Sequence, residues 1–247
     1  MKIDILTLFP DAFAPLQTSI LNRAQEAGKL QINTVNIRDF SKDKHKKCDD
    51  YPFGGGAGML MTVQPLFDAI MSVCKDEIEE EKAKKAEENA TKFVLKKGTK
   101  IIFPSPSGEV LTAKKGESLS KFKHLIFVCG HYEGVDERLF DLFPIEQISI
   151  GDYVLTGGEL PTMVIIDTLS RFVDGVISKE SLENESFSNG LLEYPQYTRP
   201  QTFMGLSVPE VLVSGNHQEV DKWREEQSLK RTKSRRKDLL EKFKREN

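Results

Sequence analysis

Three stretches of this chain carry residue types and spacings that could do chemistry. In Ser149-Ile150-Gly151-Asp152-Tyr153-Val154-Leu155-Thr156-Gly157-Gly158-Glu159-Leu160-Pro161 an apolar strand end runs into three glycines and a proline near a helix start. Glycines let backbone N–H and C=O groups approach a ligand closely. Pro161 falls in the turn where its missing N–H costs nothing. Such a loop at the C-terminal end of a strand is where open α/β sheets bind ligands; the same residues would also suit a plain strand-to-helix turn. The second stretch, Gly54-Gly55-Gly56-Ala57-Gly58, is followed by Met59-Leu60. A phosphate-cradling P-loop needs Lys and then Ser or Thr there, which disfavours an ATPase. The third is basic: Lys230, Arg231, Lys233, Arg235, Arg236 and Lys237 lie within eight residues that hold no acid. That is the footprint of a phosphate-binding surface, or else of a solvated helix face. Tyr197, Arg199, His217 and Trp223, not far away in sequence, add stacking and hydrogen-bonding groups of the kind that read RNA.

The elements that must position these residues follow from periodicity. Strand patterns fall at residues 2–8, 30–37, 100–103, 124–129 and 145–150, several rich in β-branched residues. Helical patterns lie near 12–27, 63–73, 112–121, 136–142 and 161–173. The alternation predicts a mostly parallel, layered α/β domain over residues 1–173. A polar stretch with Ser178, Ser181, Asn184, Ser186, Ser188 and Asn189 has the composition of a linker, assigned to 174–190. Beyond it only helical patterns remain, so 191–247 is expected to be a small helical domain, with Asn216-His217 and Trp223-Arg224 on a helix that turns Val220 and Leu229 inward. Residues 75–98, rich in Lys, Glu and Ala, are expected to be an exposed helix or mobile insertion and receive no function.

Composition sets the class. With 247 residues, 38% hydrophobic and 30% charged, the chain is long enough for a sizeable core and reads as an ordinary soluble globular protein. No apolar run approaches a membrane span. The start, Met1-Lys2-Ile3-Asp4-Ile5, lacks a signal peptide's apolar stretch. Three widely spaced cysteines, Cys48, Cys74 and Cys129, argue against a disulfide framework and against zinc, and the cytoplasm is the expected home. The net charge of −3 does not by itself point to nucleic acid.

Read outward from the glycine loop, further phrases recur. Cys129-Gly130-His131-Tyr132-Glu133-Gly134-Val135-Asp136-Glu137-Arg138 precedes it, and Ser186-Phe187, Gly190-Leu191-Leu192, Tyr197-Thr198-Arg199-Pro200 and Leu212-Val213-Ser214-Gly215-Asn216-His217 follow. With Gly54 to Met59, Lys2-Ile3-Asp4 and Leu8-Phe9-Pro10, these resemble the TrmD family of bacterial tRNA (guanine-N1)-methyltransferases, of the SPOUT superfamily. Each motif is weak alone, but in this order over most of a chain they are specific. The resemblance implies a trefoil-knotted S-adenosylmethionine-binding domain over 1–173, a flexible linker, and a tRNA-binding helical domain. General topology rules alone would have given an unknotted Rossmann-like fold.

The resemblance also implies site residues. The adenosine site takes Ser105, Pro106, Gly130, Ile150, Gly151, Asp152, Tyr153, Val154, Leu155, Gly157 and Gly158, with Ser107 standing where the family more often has glutamine. The loop with Gly55, Gly56 and Met59 would receive the target guanosine, while Tyr197, Arg199, His217, Arg235 and Arg236 would contact tRNA. Methyl transfer to guanine N1 needs a base for the N1 proton and a cation or donor for charge on O6. By position Arg171 is the cation. The base position, an aspartate in the family, is Glu185 here: a carboxylate of similar basicity, longer by one methylene. The two come from different subunits of a homodimer, and residues 161–173, apolar on more than one face, suit a core or dimer contact. The family's magnesium requirement makes Glu133 a candidate contributor, although a carboxylate that simply holds its loop is the preferred reading. His131 stands where some members have arginine and receives no catalytic role; Lys237 stands where proline is common. The expectation is methylation of N1 of guanosine 37, just 3′ of the anticodon. A knotted ribose 2′-O-methyltransferase and an RNA-binding relative with weakened catalysis are the alternatives.

Overall fold

The computed structural model describes residues 1–79, 92–183 and 185–246. The chain divides into two compact units, Met1–Ile177 and Ser178–Asn247.

The first unit is built on five strands: β1 (Lys2–Thr7), β2 (Gln31–Asn36), β5 (Thr99–Val110), β6 (His124–Val128) and β7 (Ile145–Ser149). They pair in the order β2-β1-β6-β5-β7, parallel throughout. Their side chains alternate between two apolar layers, as the period of two demands. Ile3, Ile5, Leu125, Phe127 and Ile102 face one core, with Leu119, Ile165, Ile166 and Leu169. Leu6, Ile126, Val128, Ile101 and Phe103 face the other, with Leu66, Ile70 and Leu139. Burial on both faces explains why the central β6 and Ile101–Phe103 of β5 read as continuous apolar runs. Helices α1 (Ser19–Glu26), α3 (Ala113–Ser120) and α5 (Glu159–Ser170) supply the first layer, and α2 (Val63–Cys74) and α4 (Arg138–Leu142) the second. Between β2 and α2 the short strands β3 (Asp49–Asp50) and β4 (Leu60–Met61) form an antiparallel ladder.

Two sequence expectations are corrected in the first unit. The helical pattern over 12–27 is two pieces, a 3₁₀ segment Pro10–Gln17 and α1, because Pro15 and the extended Thr18 interrupt it. β5 runs well past 103: Pro104 and Glu109 both pair with Ile148, so residues 105–108 leave the ladder as an excursion before pairing resumes. Proline cannot donate to a ladder, which is why Pro104 and Pro106 read as the strand's end. Part of the 75–98 insertion lies outside the described residues. Its described ends are pinned, with Ile78 bridging Leu95, and Phe93 stacked on Phe143 with ring centroids 4.9 Å apart.

A buried polar cluster sits where β1 and β6 begin. His124 Nε2 is 2.8 Å from Asp4 Oδ2, and Lys2 and Asn33 also bond the Asp4 carboxylate. Burial opposes its ionisation, but those hydrogen bonds prevail and bring the Asp4 carboxyl down to about 2.

The second unit contains α6 (Lys179–Glu183), a two-residue hairpin of β8 (Thr202–Phe203) and β9 (Leu206–Ser207), then α7 (His217–Arg235) and α8 (Lys237–Glu246). α6 lies inside the segment whose composition reads as linker, and the hairpin interrupts an otherwise helical unit. Leu229, expected to face inward, is 42% exposed, while Ser228 and Thr232 are buried. Thr232 Oγ1 accepts the Leu192 N–H and donates to the Ser228 carbonyl, so this face of α7 is closed by hydrogen bonds.

Candidate functional site

At the C-terminal ends of the central strands three loops enclose a cavity of about 290 Å³. The excursion of β5 contributes Ser105 and Pro106, the turn after β6 contributes Gly130 through Gly134, and the loop after β7 contributes Ile150, Gly151, Tyr153 to Leu155, Gly157 and Gly158. Of the expected adenosine-site residues only Asp152 stays off the cavity wall; it is exposed.

The loops are held tightly enough to dictate glycine. Gly158 N–H donates to the Gly130 carbonyl at 2.8 Å, and a Cβ on Gly158 would stand 2.8 Å from both Cys129 Cα and Gly130 N. A Cβ on Gly130 would strike the Phe103 ring at 2.6 Å. Gly151 adopts φ +146°, a conformation strained for other residues, and the Tyr153 ring lies against it while the Tyr153 hydroxyl donates to the Ile150 carbonyl. The Ser149 hydroxyl donates to the Gly151 carbonyl and accepts the Gly151 N–H, which closes the start of the loop. In the β5 excursion Ser107 donates to Gln147 Oε1 at 2.8 Å and is 2.7 Å from the Ser105 hydroxyl, so the shorter side chain at 107 still ties the excursion to β7.

Behind the cavity lies a polar layer that the motifs did not single out. Glu159, in the first turn of α5, is 9% exposed and accepts a 2.8 Å bond from Thr7, whose hydroxyl accepts the Phe9 N–H. This joins the end of β1 to the helix that starts after the loop, with the carboxylate at the helix's positive end. His131 packs 5.0 Å from the Phe9 ring, and its Nδ1 is buried without a hydrogen bond. Cys129 is buried beside Thr162; burial drives its thiol pKa well upward, so it is a packing residue and no nucleophile.

The wall suits a nucleoside-bearing ligand. It combines Phe103, Ile150, Val154 and Leu155 with exposed main chain from several glycines, the mix by which pockets hold flat apolar ligands and read their edges. Metal is another matter: among the described residues no three His, Cys, Asp or Glu side chains converge to hold an ion. Glu133 instead packs against Gly58, whose Cβ would lie 2.4 Å from Glu133 Cγ, and its N–H bonds the Met59 carbonyl. The Glu133 side chain thus packs against the glycine-rich loop while its backbone N–H ties the two loops together.

The remaining expected residues are distributed as follows. Gly55, Gly56 and Met59 lie in the β3–β4 hairpin loop beside Glu133. Arg171 caps the C-terminal end of α5 in the first unit and is half-buried. Glu185 lies in the second unit, in a turn whose carbonyl accepts from the Ser188 N–H and hydroxyl. Arg171 does not line the cavity. Tyr197 is half exposed with its ring 6.3 Å from that of Trp223, and Arg199 and His217 are exposed. Arg235 and Arg236 are exposed at the corner between α7 and α8, where Asp238, just beyond the basic run, pairs with Arg236 at 2.6 Å.

Residues 1–242 match the family described as tRNA (Guanine-1)-methyltransferase TrmD. A tRNA (guanine-N(1)-)-methyltransferase of Ruminiclostridium cellulolyticum is 51% identical, covering 100% of this chain and 99% of its own. Proteins of that same name from Alkaliphilus metalliredigens and Halalkalibacterium halodurans are 52% and 51% identical; the matches cover 97% and 98% of this chain and 92% of each relative.

Proposed function

Since this chain belongs to the tRNA (guanine-1)-methyltransferase TrmD family, we propose that it methylates N1 of guanosine in tRNA, at position 37, with S-adenosylmethionine as donor. The observation that carries this reading is the cavity of main chain and apolar side chains at the C-terminal strand ends. S-adenosylmethionine supplies an electrophilic methyl group when bound. Ile150, Tyr153 and Leu155 offer backbone groups for the adenine edge, and Gly130, Gly157 and Gly158 keep the wall thin enough for main chain to reach it. We extend the family's trefoil knot to residues 1–173, with a linker over 174–190 and a tRNA-binding unit from 191.

The protein's own chemistry is a proton and a charge. Guanine N1 carries a proton at neutral pH, and Glu185 is the base that takes it; such catalysis is worth ~10²–10⁴-fold. Negative charge then gathers on O6, where the Arg171 guanidinium compensates it. In a homodimer these groups come from different subunits. The exposed Leu160 and Val164, one turn apart on α5, together with Val154 supply apolar surface for that contact. No described helix is long and apolar enough to cross a membrane, in keeping with work on tRNA in the cytoplasm.

The experiment is transfer of label from S-adenosylmethionine to two tRNA transcripts, one with G36-G37 and one with adenosine at 37. Label only on the first, recovered as 1-methylguanosine, is expected; label on a ribose 2′-oxygen would overturn the reading. Glu185→Gln is expected to abolish transfer and keep cofactor affinity, whereas near-normal turnover would remove Glu185 as the base.

A further inference from the structure

The β3–β4 hairpin carries an unusual pair of side chains. Phe53 is 101% exposed and Tyr51 76% exposed, so among the described residues of this chain nothing covers the Phe53 ring. Full exposure of such a ring forgoes roughly 1.5–3 kcal/mol of burial, and the backbone is arranged to keep it there. Gly55 N–H donates to the Pro52 carbonyl, which puts Phe53 and Gly54 at the corners of a turn. Gly54 has φ +85°, the value the third position of a type II turn demands. Among the described residues nothing lies within 4 Å of a Cβ on Gly54 or Gly55, so the turn itself is open on its outer side.

The base of this hairpin is bonded to residues of the cavity wall. Met61 N–H bonds the Gly134 carbonyl, Glu133 N–H bonds the Met59 carbonyl, and Glu133 and Gly134 themselves line the cavity.

An enzyme that works on a base edge must take that base out of its stack, which leaves the neighbouring base with a bare face. Aromatic rings with open faces are what proteins offer to such bases, each stack being worth ~1–3 kcal/mol. We propose that Phe53, with the exposed Tyr51 two residues before it, is a platform on which a nucleobase flanking the target guanosine stacks. This rests on the tRNA methyltransferase reading and adds a positioning residue to it.

The test uses the full-length protein with Phe53→Ala, Phe53→Leu and Phe53→Trp. Alanine and leucine are expected to weaken tRNA binding roughly 5- to 150-fold, with cofactor affinity and oligomeric state as in wild type. Tryptophan is expected to restore binding, its fluorescence, corrected for Trp223, being quenched by tRNA. Of two tRNAs, each abasic at one nucleotide flanking the target, one should bind wild type and Phe53→Ala alike; a full Phe53→Ala defect on both would overturn the proposal. Undiminished tRNA affinity in Phe53→Ala, or leucine as good as phenylalanine, would overturn the proposal. So would loss of a dimer in Phe53→Ala, which would mean the ring is covered by a second copy. Failure of the wild type to methylate any tRNA would instead strike the parent reading, and the binding series would still decide whether Phe53 meets RNA.

Discussion

Gly158→Ala isolates the close approach that shapes the cavity. Gly158 has φ −81° and ψ −5°, so alanine brings no backbone strain there. Its Cβ would sit 2.8 Å from Cys129 Cα and Gly130 N, short by about 0.6 Å of the 3.4 Å at which ordinary contact begins. Both obstacles are backbone, at the end of the central strand β6, and cannot swing away. Overpacking of this kind costs about 1–3 kcal/mol. The loop after β7 can relieve it by moving outward, but cofactor binding must close it again. The dissociation constant for S-adenosylmethionine should therefore rise by up to roughly 5- to 150-fold, at 1.36 kcal/mol per tenfold. The internal control is Gly157→Ala, whose Cβ would meet Glu159 Oε2 at 2.4 Å and His131 Nδ1 at 2.7 Å, both on side chains. Titration calorimetry and thermal unfolding of both variants make the comparison. Wild-type affinity in Gly158→Ala, or a greater loss in Gly157→Ala, would refute the reasoning.

Other outcomes follow from the same structure. Asp4 ionises at about 2 when folded against 3.8 otherwise, so its contribution of about 2 kcal/mol is complete above pH 3.8 and lost as pH falls towards 2. Urea midpoints of wild type and Asp4→Asn should converge over that window, and a constant gap between them would contradict this. Reversal of Arg235 to glutamate should weaken tRNA binding and flatten its salt dependence. The same change at Arg236 should do less, because Asp238 already pairs with it; an unchanged salt slope in both variants would take this corner off the interface. Burial pushes the Cys74 thiol to about 11, with Glu77 adding to the rise, and burial raises Cys48 as well as Cys129. A disulfide reagent at pH 7.5 should titrate three thiols quickly only after unfolding, and a fast thiol in the native protein would count against the buried placement.

The sequence by itself determined the elements whose signal is local. Apolar period and β-branched runs located all five strands of the sheet, and Pro161 with the glycines before it marked the strand–loop–helix passage at the cavity. The family phrases, and no periodicity, single out Glu185 and Arg171 for the proposed roles of base and cation. The tertiary structure decided what depends on partners far away in the chain. Pro104 and Pro106 look like a strand's end until Ile148 of β7 is seen to pair on both sides of the excursion. Asp4 and His124 are 120 residues apart, and neither hints at the other in sequence. Leu229 reads as core on a helical wheel. The face of α7 that is buried is instead the one where Thr232 takes the Leu192 N–H, a partner 40 residues away that satisfies a backbone donor. Phe53 reads as one more aromatic in a glycine-rich stretch; only the structure, with its turn at Pro52–Gly55, shows that among the described residues of this chain nothing covers the ring. Periodicity reports which way a side chain points along its own element, and it is silent about what waits there.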